Sequence, residues 1–206
     1  MSITRRGVIG VGLASVLGTF AGSASAIEPR NSTVNMPFRP YGKHIDDPEK
    51  QWEIIKDCEW AIYCTADDAG VPYGVPVSTA VVDGKIIFHG AGGDKLGPRG
   101  RKWKNSSINP NVCLTYVRPN LNRKNELNID AESVIVTGTV RIVTDEQEKY
   151  KLMKVLLAPH NPKATKADID KKLEVSGKRV KEEITFYVVT PTLITGKLIK
   201  HFKIVA

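Results

Sequence analysis

Ser78, Thr79 and His89 are the polar side chains best placed to do chemistry, because they interrupt two apolar runs that a turn brings together. The runs are VPVSTAVV (residues 75–82) and KIIFHGA (residues 85–91), joined by Asp83-Gly84. An Asp-Gly pair between apolar segments predicts a hairpin with a type I′ turn, since both central residues must take positive φ. The second run continues into GAGGDKLGPRGRKWK, where Lys95, Arg99, Arg101, Lys102 and Lys104 stand among glycines. A phosphate monoester carries close to two charges, and stripping its water requires charge-assisted donors, preferably a cationic side chain plus backbone amides. Hydroxyls and an imidazole on apolar strands that lead into positive charge fit a phosphorylated, ring-bearing ligand. Taken alone, the charged segment also reads as a solvated basic loop, and His89 as a hydrogen-bonded structural residue.

Other chemistries find less support. Ser78 has no His/Asp pattern around it, so a nucleophilic hydrolase is not indicated. Gly90-Ala91-Gly92-Gly93 superficially resembles a dinucleotide loop, but no helix opens at the right glycine. No Cys/His spacing matches a zinc site, and no metal is expected. Trp103 could stack on a ring or anchor its helix to the core. His160, within Ala-Pro-His-Asn-Pro, reads as a loop residue. Three cysteines, Cys58, Cys64 and Cys113, are too few for a disulfide scaffold, and Cys64 and Cys113, in strand-like runs, read as buried free thiols.

The elements that must position these residues follow from local signals. Asp47-Pro48 marks a helix start that runs to about Cys58. Strands are predicted at 60–66, 73–82, 85–90, 112–118 and 133–144, with Gly138 marking a bulge or close backbone approach. Thr144-Asp145-Glu146-Gln147 predicts a capping box at Thr144 and a helix to about Leu157. Thr165-Lys166-Ala167-Asp168 opens a lysine-rich helix. Two closing strands, 184–190 and 193–204, are expected to be interrupted by Pro191. Residues 119–132 form a polar, Asn-rich surface loop. Strands and helices do not alternate, so the fold class is mainly β with α: a small antiparallel barrel with flanking helices.

Residues 1–26 read as an address. Arg5-Arg6 precedes an apolar, uncharged run from Gly7 to Gly22, and Ala24-Ser25-Ala26 supplies a small-x-small cleavage pattern. A twin-arginine export signal, hence a periplasmic or otherwise exported protein, is expected; an ordinary secretory signal is the alternative. The run is about 16 residues, short of the roughly 20 that span a bilayer, so no stable membrane insertion is expected after cleavage. Residues 27–46 read as an extended, Pro-rich arm and residues 47–206 as one domain. Arg5 and Arg6 are the only charges in the first 26 residues, so their loss takes the formal charge from +8 to +6. That excess suits an anionic ligand; nucleic acid is the usual partner of a basic domain, but export argues against it.

With the strands laid out, the chain resembles the FMN-binding split-barrel proteins related to pyridoxamine 5′-phosphate oxidase, and among them the Nim-type nitroimidazole-resistance branch. The matching pieces are Gly74-Val75-Pro76-Val77, Ile87-Phe88-His89-Gly90-Ala91 and Gly100-Arg101-Lys102 leading to Asn109-Pro110-Asn111-Val112. Further on come Glu132-Ser133-Val134-Ile135 with Gly138, the helix start at 145–148, and Ile194-Thr195-Gly196-Lys197. The resemblance implies a six-stranded split barrel, a homodimer, and FMN at the subunit interface. It places Pro76, Val77, Ser78 and Thr79 along the isoalloxazine ring, His89 and Gly90 beside it, and Lys102 with Arg101 at the phosphate. Between Ala91 and Gly100 the chain is longer than the family pattern, which leaves Lys95 as the alternative phosphate ligand. The implied activity is that of a flavoprotein reductase acting on a small oxidised molecule such as a nitroaromatic, with His89 or water supplying a proton. The alternative is a non-catalytic flavin or haem binder or an electron carrier.

Overall fold

The computed structural model describes residues 43–92, 99–119 and 131–199. The address, the arm as far as residue 42, Lys95 and most of the Asn-rich loop lie outside the described residues.

In chain order the elements are β1 (Lys43–Ile45), α1 (Pro48–Asp57), β2 (Trp60–Ala66), β3 (Pro72–Ser78), β4 (Ala80–Val82) and β5 (Lys85–Ala91). There follow α2 (Arg101–Ile108), β6 (Asn111–Pro119), β7 (Ala131–Val143), α3 (Glu146–His160), α4 (Lys166–Glu183) and β8 (Ile184–Ile199). The strands form one sheet ordered β3-β2-β6-β7-β8-β5-β4, with β1 added to β8. Every pairing is antiparallel.

The two ends of that order, β3 and β4, are consecutive in the chain and separated by Thr79 alone. A single bent strand therefore pairs with β2 through its first half and with β5 through its second. Such a sheet must curl until its edges meet, which yields the split barrel. Counting the bent strand once and setting aside the three-residue β1 leaves the six strands expected. The hairpin is shorter than its apolar run implies, because only Ala80–Val82 pairs across the turn. Its local chemistry is as expected: Asp83 and Gly84 adopt φ of 48° and 69°.

Alternation in β2 and β6 sends Tyr63, Leu114 and Tyr116 into the barrel, where they meet Phe88, Val134, Val136 and Tyr187. Ile54 and Ile55 of α1 join the same cluster. A second cluster lies between the other face of β5–β8 and the α3–α4 pair, built on Ile87, Phe186, Leu152, Leu156, Leu173 and Val180. The central part of β5 is therefore covered on both faces, which explains the unbroken apolar run Ile86-Ile87-Phe88.

Three expectations change. Lys43–Ile45, inside the expected arm, packs as a strand because Gly196 of β8 leaves room: a Cβ there would stand 2.8 Å from Ile45 Cβ. The cap of α3 is Asp145, whose carboxylate accepts from the Glu148 amide at 2.7 Å, one residue later than the Thr144 box. Pro191 does not interrupt the closing strand. It sits opposite Gly138 where the β7–β8 register shifts, a place that requires no ladder donor from it.

Gly138 is required by contact. A Cβ there would meet the Thr190 carbonyl oxygen at 2.3 Å and Pro191 Cα at 3.1 Å, both backbone. Gly138→Ala should push β7 from β8 and lower stability by about 1–3 kcal/mol. Urea unfolding checks this; an unchanged midpoint would mean that the seam relaxes freely.

Arg118 of β6 ties α1 to the sheet. Its guanidinium donates to Glu132 of β7, to Glu53 at 3.0 Å and to Asp57. The three surrounding carboxylates hold it charged across the whole accessible pH range.

Candidate functional site

At the end of β5 the pleat alternates: Phe88 turns into the barrel, His89 outward and Gly90 inward. The inward space at Gly90 is occupied by Lys102, whose Nζ would lie only 2.5 Å from a Cβ at that position. Lys102 comes from the first turn of α2, whose N-cap Gly100 offers no side-chain cap. Its ammonium stands over the stacked Phe88 and Tyr187 rings, 5.4 and 5.0 Å from their centroids. No carboxylate among the described residues pairs with it. Burial disfavours its charge and moves its pKa down from the usual lysine value. A desolvated, uncompensated cation at a helix N-terminus is an arrangement that an anion would relieve.

His89 projects from the opposite face of β5 toward Phe186, which it meets edge-on at 5.9 Å between centroids. The residue is exposed, yet its pKa lies below 6.5. Desolvation by the surrounding protein is the largest cause, followed by the charges of Lys102 and His160. His89 is therefore mostly neutral at neutral pH.

The bend between β3 and β4 supplies the third part. His160 Nε2 lies 2.9 Å from Ser78 Oγ and 3.0 Å from the Thr79 carbonyl oxygen. A carbonyl can only accept, so the hydrogen-bond pattern assigns the hydrogen to Nε2, and Ser78 Oγ accepts a share of it. The Ser78 hydroxyl hydrogen is left to donate elsewhere. Sequence reading placed His160 in a loop; it ends α3 and returns across 82 positions to hold the bend. The one local signal was its setting between Pro159 and Pro162, which fixes where the helix must stop.

The expected site residues thus divide. Ser78 and His89 lie near His160, and Lys102 reaches the same strand end from the barrel side of β5. Pro76 is exposed, whereas Val77 packs into the barrel core and can offer only backbone. Thr79 is also turned inward: its hydroxyl accepts from Tyr116 at 3.3 Å, so its contribution at the bend is its carbonyl. Arg101 stacks over Tyr73 at 5.2 Å instead of converging on Lys102. Trp103 packs against the barrel core with Arg99 over its ring at 4.2 Å, in an anchoring role. Its buried indole N–H has no hydrogen-bond partner among the described residues. Beside the bend opens a cleft of ≈ 540 Å³, bounded by Cys58 and Glu59 after α1 and by Val81, Val155 and His160.

Residues 47–198 match the model of the pyridoxamine 5′-phosphate oxidase family, and the chain belongs to that family. Its fold is shared with a Bacteroides thetaiotaomicron protein named for 5-nitroimidazole antibiotic resistance, at 20% identity and TM-score 0.57, covering 76% of this chain and 86% of that one. A flavocytochrome from Azotobacter vinelandii is similar at 16% identity and TM-score 0.57, over 75% and 68% of the two chains. An FAD-binding protein from Mesorhizobium loti follows at 14% identity and TM-score 0.53, over 78% and 99%. Among proteins with curated descriptions, none matches this chain.

Proposed function

We propose that this chain is an exported flavoprotein that holds FMN at the end of β5 and passes electrons to a small oxidised substrate such as a nitroaromatic. The observation that carries the reading is the Lys102 ammonium, half-buried beside Gly90 of the strand that bears His89, with no carboxylate partner among the described residues. The residues present fit the group. A phosphate would restore the charge balance of Lys102, and Gly90 leaves backbone close to it. FAD and flavocytochrome relatives support flavin as the ligand class, and the relative named for nitroimidazole resistance supports the substrate class.

When bound, FMN supplies the electron transfer that no side chain here can perform. The chain's own residues do the rest. Lys102 neutralises the phosphate. The Pro76–Ser78 backbone and the outward hydrogen of Ser78 orient the polar edge of the ring. His160 fixes the bend from which those groups project. His89, neutral at rest, takes up a proton and delivers it to the reduced substrate. The cleft beside His160 offers room for that substrate.

A homodimer belongs to the same reading. Trp60, Ile62, Val117 and Ile135 are 41–56% exposed, and Ile62, Thr115 and Ile135 align across β2, β6 and β7. An apolar sheet face of this kind is usually covered by another surface.

Absorbance of the purified protein between about 350 and 500 nm should show a flavin spectrum, and mass analysis of the released chromophore should give FMN. A colourless protein that stays colourless after FMN is added would end the proposal. The second reading, a flavin-binding electron carrier, rests on the flavocytochrome relative. It predicts a reducible flavin that no nitro compound or quinone reoxidises.

A further inference from the structure

Cys64 and Cys113 are 49 positions apart in sequence and directly opposite each other in space. The β2–β6 ladder pairs Ile62 with Thr115, Tyr63 with Leu114 and Cys64 with Cys113. Tyr63 and Leu114 point into the barrel, so both cysteines lie on its outer face. Their thiols lean the same way along the strands. Cys64 Sγ approaches the Ile62 carbonyl at 3.9 Å, and Cys113 Sγ approaches Thr115 Oγ1 at 4.0 Å; Ile62 and Thr115 are themselves partners. Opposed residues of an antiparallel pair have Cα atoms about 4.5–5.5 Å apart. That range falls inside the roughly 4.4–6.8 Å that a disulfide accepts. Both cysteines are thiols in this structure.

We infer that Cys64 and Cys113 form a reversible disulfide site that clamps β2 to β6. The seam is where a clamp has most to do. Three pairs join β2 to β6, against seven between β2 and β3 and nine between β6 and β7. The β2–β3 ribbon is joined to the rest of the sheet by that short ladder and, past Thr79, by β4 on β5. The co-reactant is a low-molecular-weight disulfide such as oxidised glutathione. One cysteine thiolate attacks a glutathione sulfur, forming a mixed disulfide and expelling one glutathione thiolate. The second cysteine thiolate then attacks the protein sulfur, forming Cys64–Cys113 and expelling the other glutathione. The two protein thiols lose two electrons, which reduce one oxidised glutathione to two thiols, and their two protons pass to the expelled thiolates. Cys58, at the end of α1, has no such partner and stays reduced. The site lies on the sheet face that a homodimer would cover, so glutathione reaches it in the free or refolding chain, and the inference would survive failure of the flavin reading.

The test is peptide mapping of the full chain after exposure to oxidised glutathione, in the native state and again after refolding in a glutathione buffer. We expect the peptides of Cys64 and Cys113 joined within one chain, a mass about 2 Da lower, and Cys58 still open to alkylation. The link closes a long loop, so the oxidised form should melt about 5 °C or more above the reduced form, a shift that dithiothreitol reverses. Neither the link nor the shift should occur in Cys64→Ser or Cys113→Ser. Alkylation of both cysteines after both treatments would overturn the inference. So would a product carrying only glutathione adducts or links between chains.

Discussion

Lys102→Met should cost about 100-fold in FMN affinity while leaving the protein without ligand as stable as the parent, or more so. A charge-assisted contact to a phosphate contributes about 1.5–3 kcal/mol, roughly 10- to 100-fold, and Lys102 is the cation proposed to make it. In the free protein the same ammonium is a burden, because it stands over Phe88 and Tyr187 with its pKa depressed by burial. The sign of its linkage follows. The unfolded chain holds the proton more tightly, so below the folded pKa the charged lysine opposes folding. Stability of the free protein therefore rises as pH climbs through the folded pKa toward 10.5. Methionine keeps the stem and removes the charge, so this pH dependence should flatten. Flavin titration and thermal melts read both halves. A variant that binds FMN like the parent would remove Lys102 from the phosphate site.

His89→Gln should do the reverse: keep FMN affinity within a few-fold and lower turnover with a nitro compound by about 100-fold, the low end of what a positioned proton donor contributes. His89 has the pKa direction of a group that is neutral at rest, held down first by desolvation and then by Lys102 and His160. As the proton donor it is most effective below its folded pKa. Turnover should therefore fall as pH rises, with the limb below 6.5 in the free protein, and glutamine should abolish that limb. The stability sign is separate. On acidification the unfolded chain takes up the proton first, so the parent loses stability as pH drops through 6.5 and the glutamine variant loses less. Equal turnover and an unchanged pH profile would leave His89 a packing residue against Phe186.

The parts of this fold that were legible in the sequence are those decided by a few neighbouring residues. The Asp83-Gly84 turn, the Asp47-Pro48 start of α1 and the Thr165–Asp168 start of α4 are local chemistry, and each forms as read. Gly138 was legible as a bulge because a lone glycine in a β-branched run has few other uses, and the Thr190 carbonyl supplies the reason. What local reading lacks is partners. Nothing near Lys43 announces β8, and nothing near Pro191 announces that Gly138 would stand across from it. The missed cap at Thr144 was decided by where β7 ends, since Val143 pairs with Phe186 and α3 can begin only after it.

The candidate site divides along the same line. Ser78 and His89 were visible as polar interruptions of apolar strands. His160 was not, because its role exists only once α3 has packed and delivered its last residue to the bend. Thr79 and Val77 read as equivalent to Ser78, and only the alternation at the bend separates the outward hydroxyl from the two inward side chains. Lys102 was legible as a candidate phosphate ligand but not as a cation folded back over aromatic rings. Gly90 lies twelve positions earlier, and the sequence carries no sign that the two share one space.

The most direct test is a comparison of FMN with riboflavin, which differ only in the phosphate, binding to the parent and to Lys102→Met. With Lys102 at the phosphate, the parent prefers FMN by about 100-fold and the variant binds the two nearly alike, because its loss falls on FMN alone. An equal preference for FMN in both proteins, or no preference in the parent, would contradict that placement and with it the orientation of the ring along Ser78 and His89.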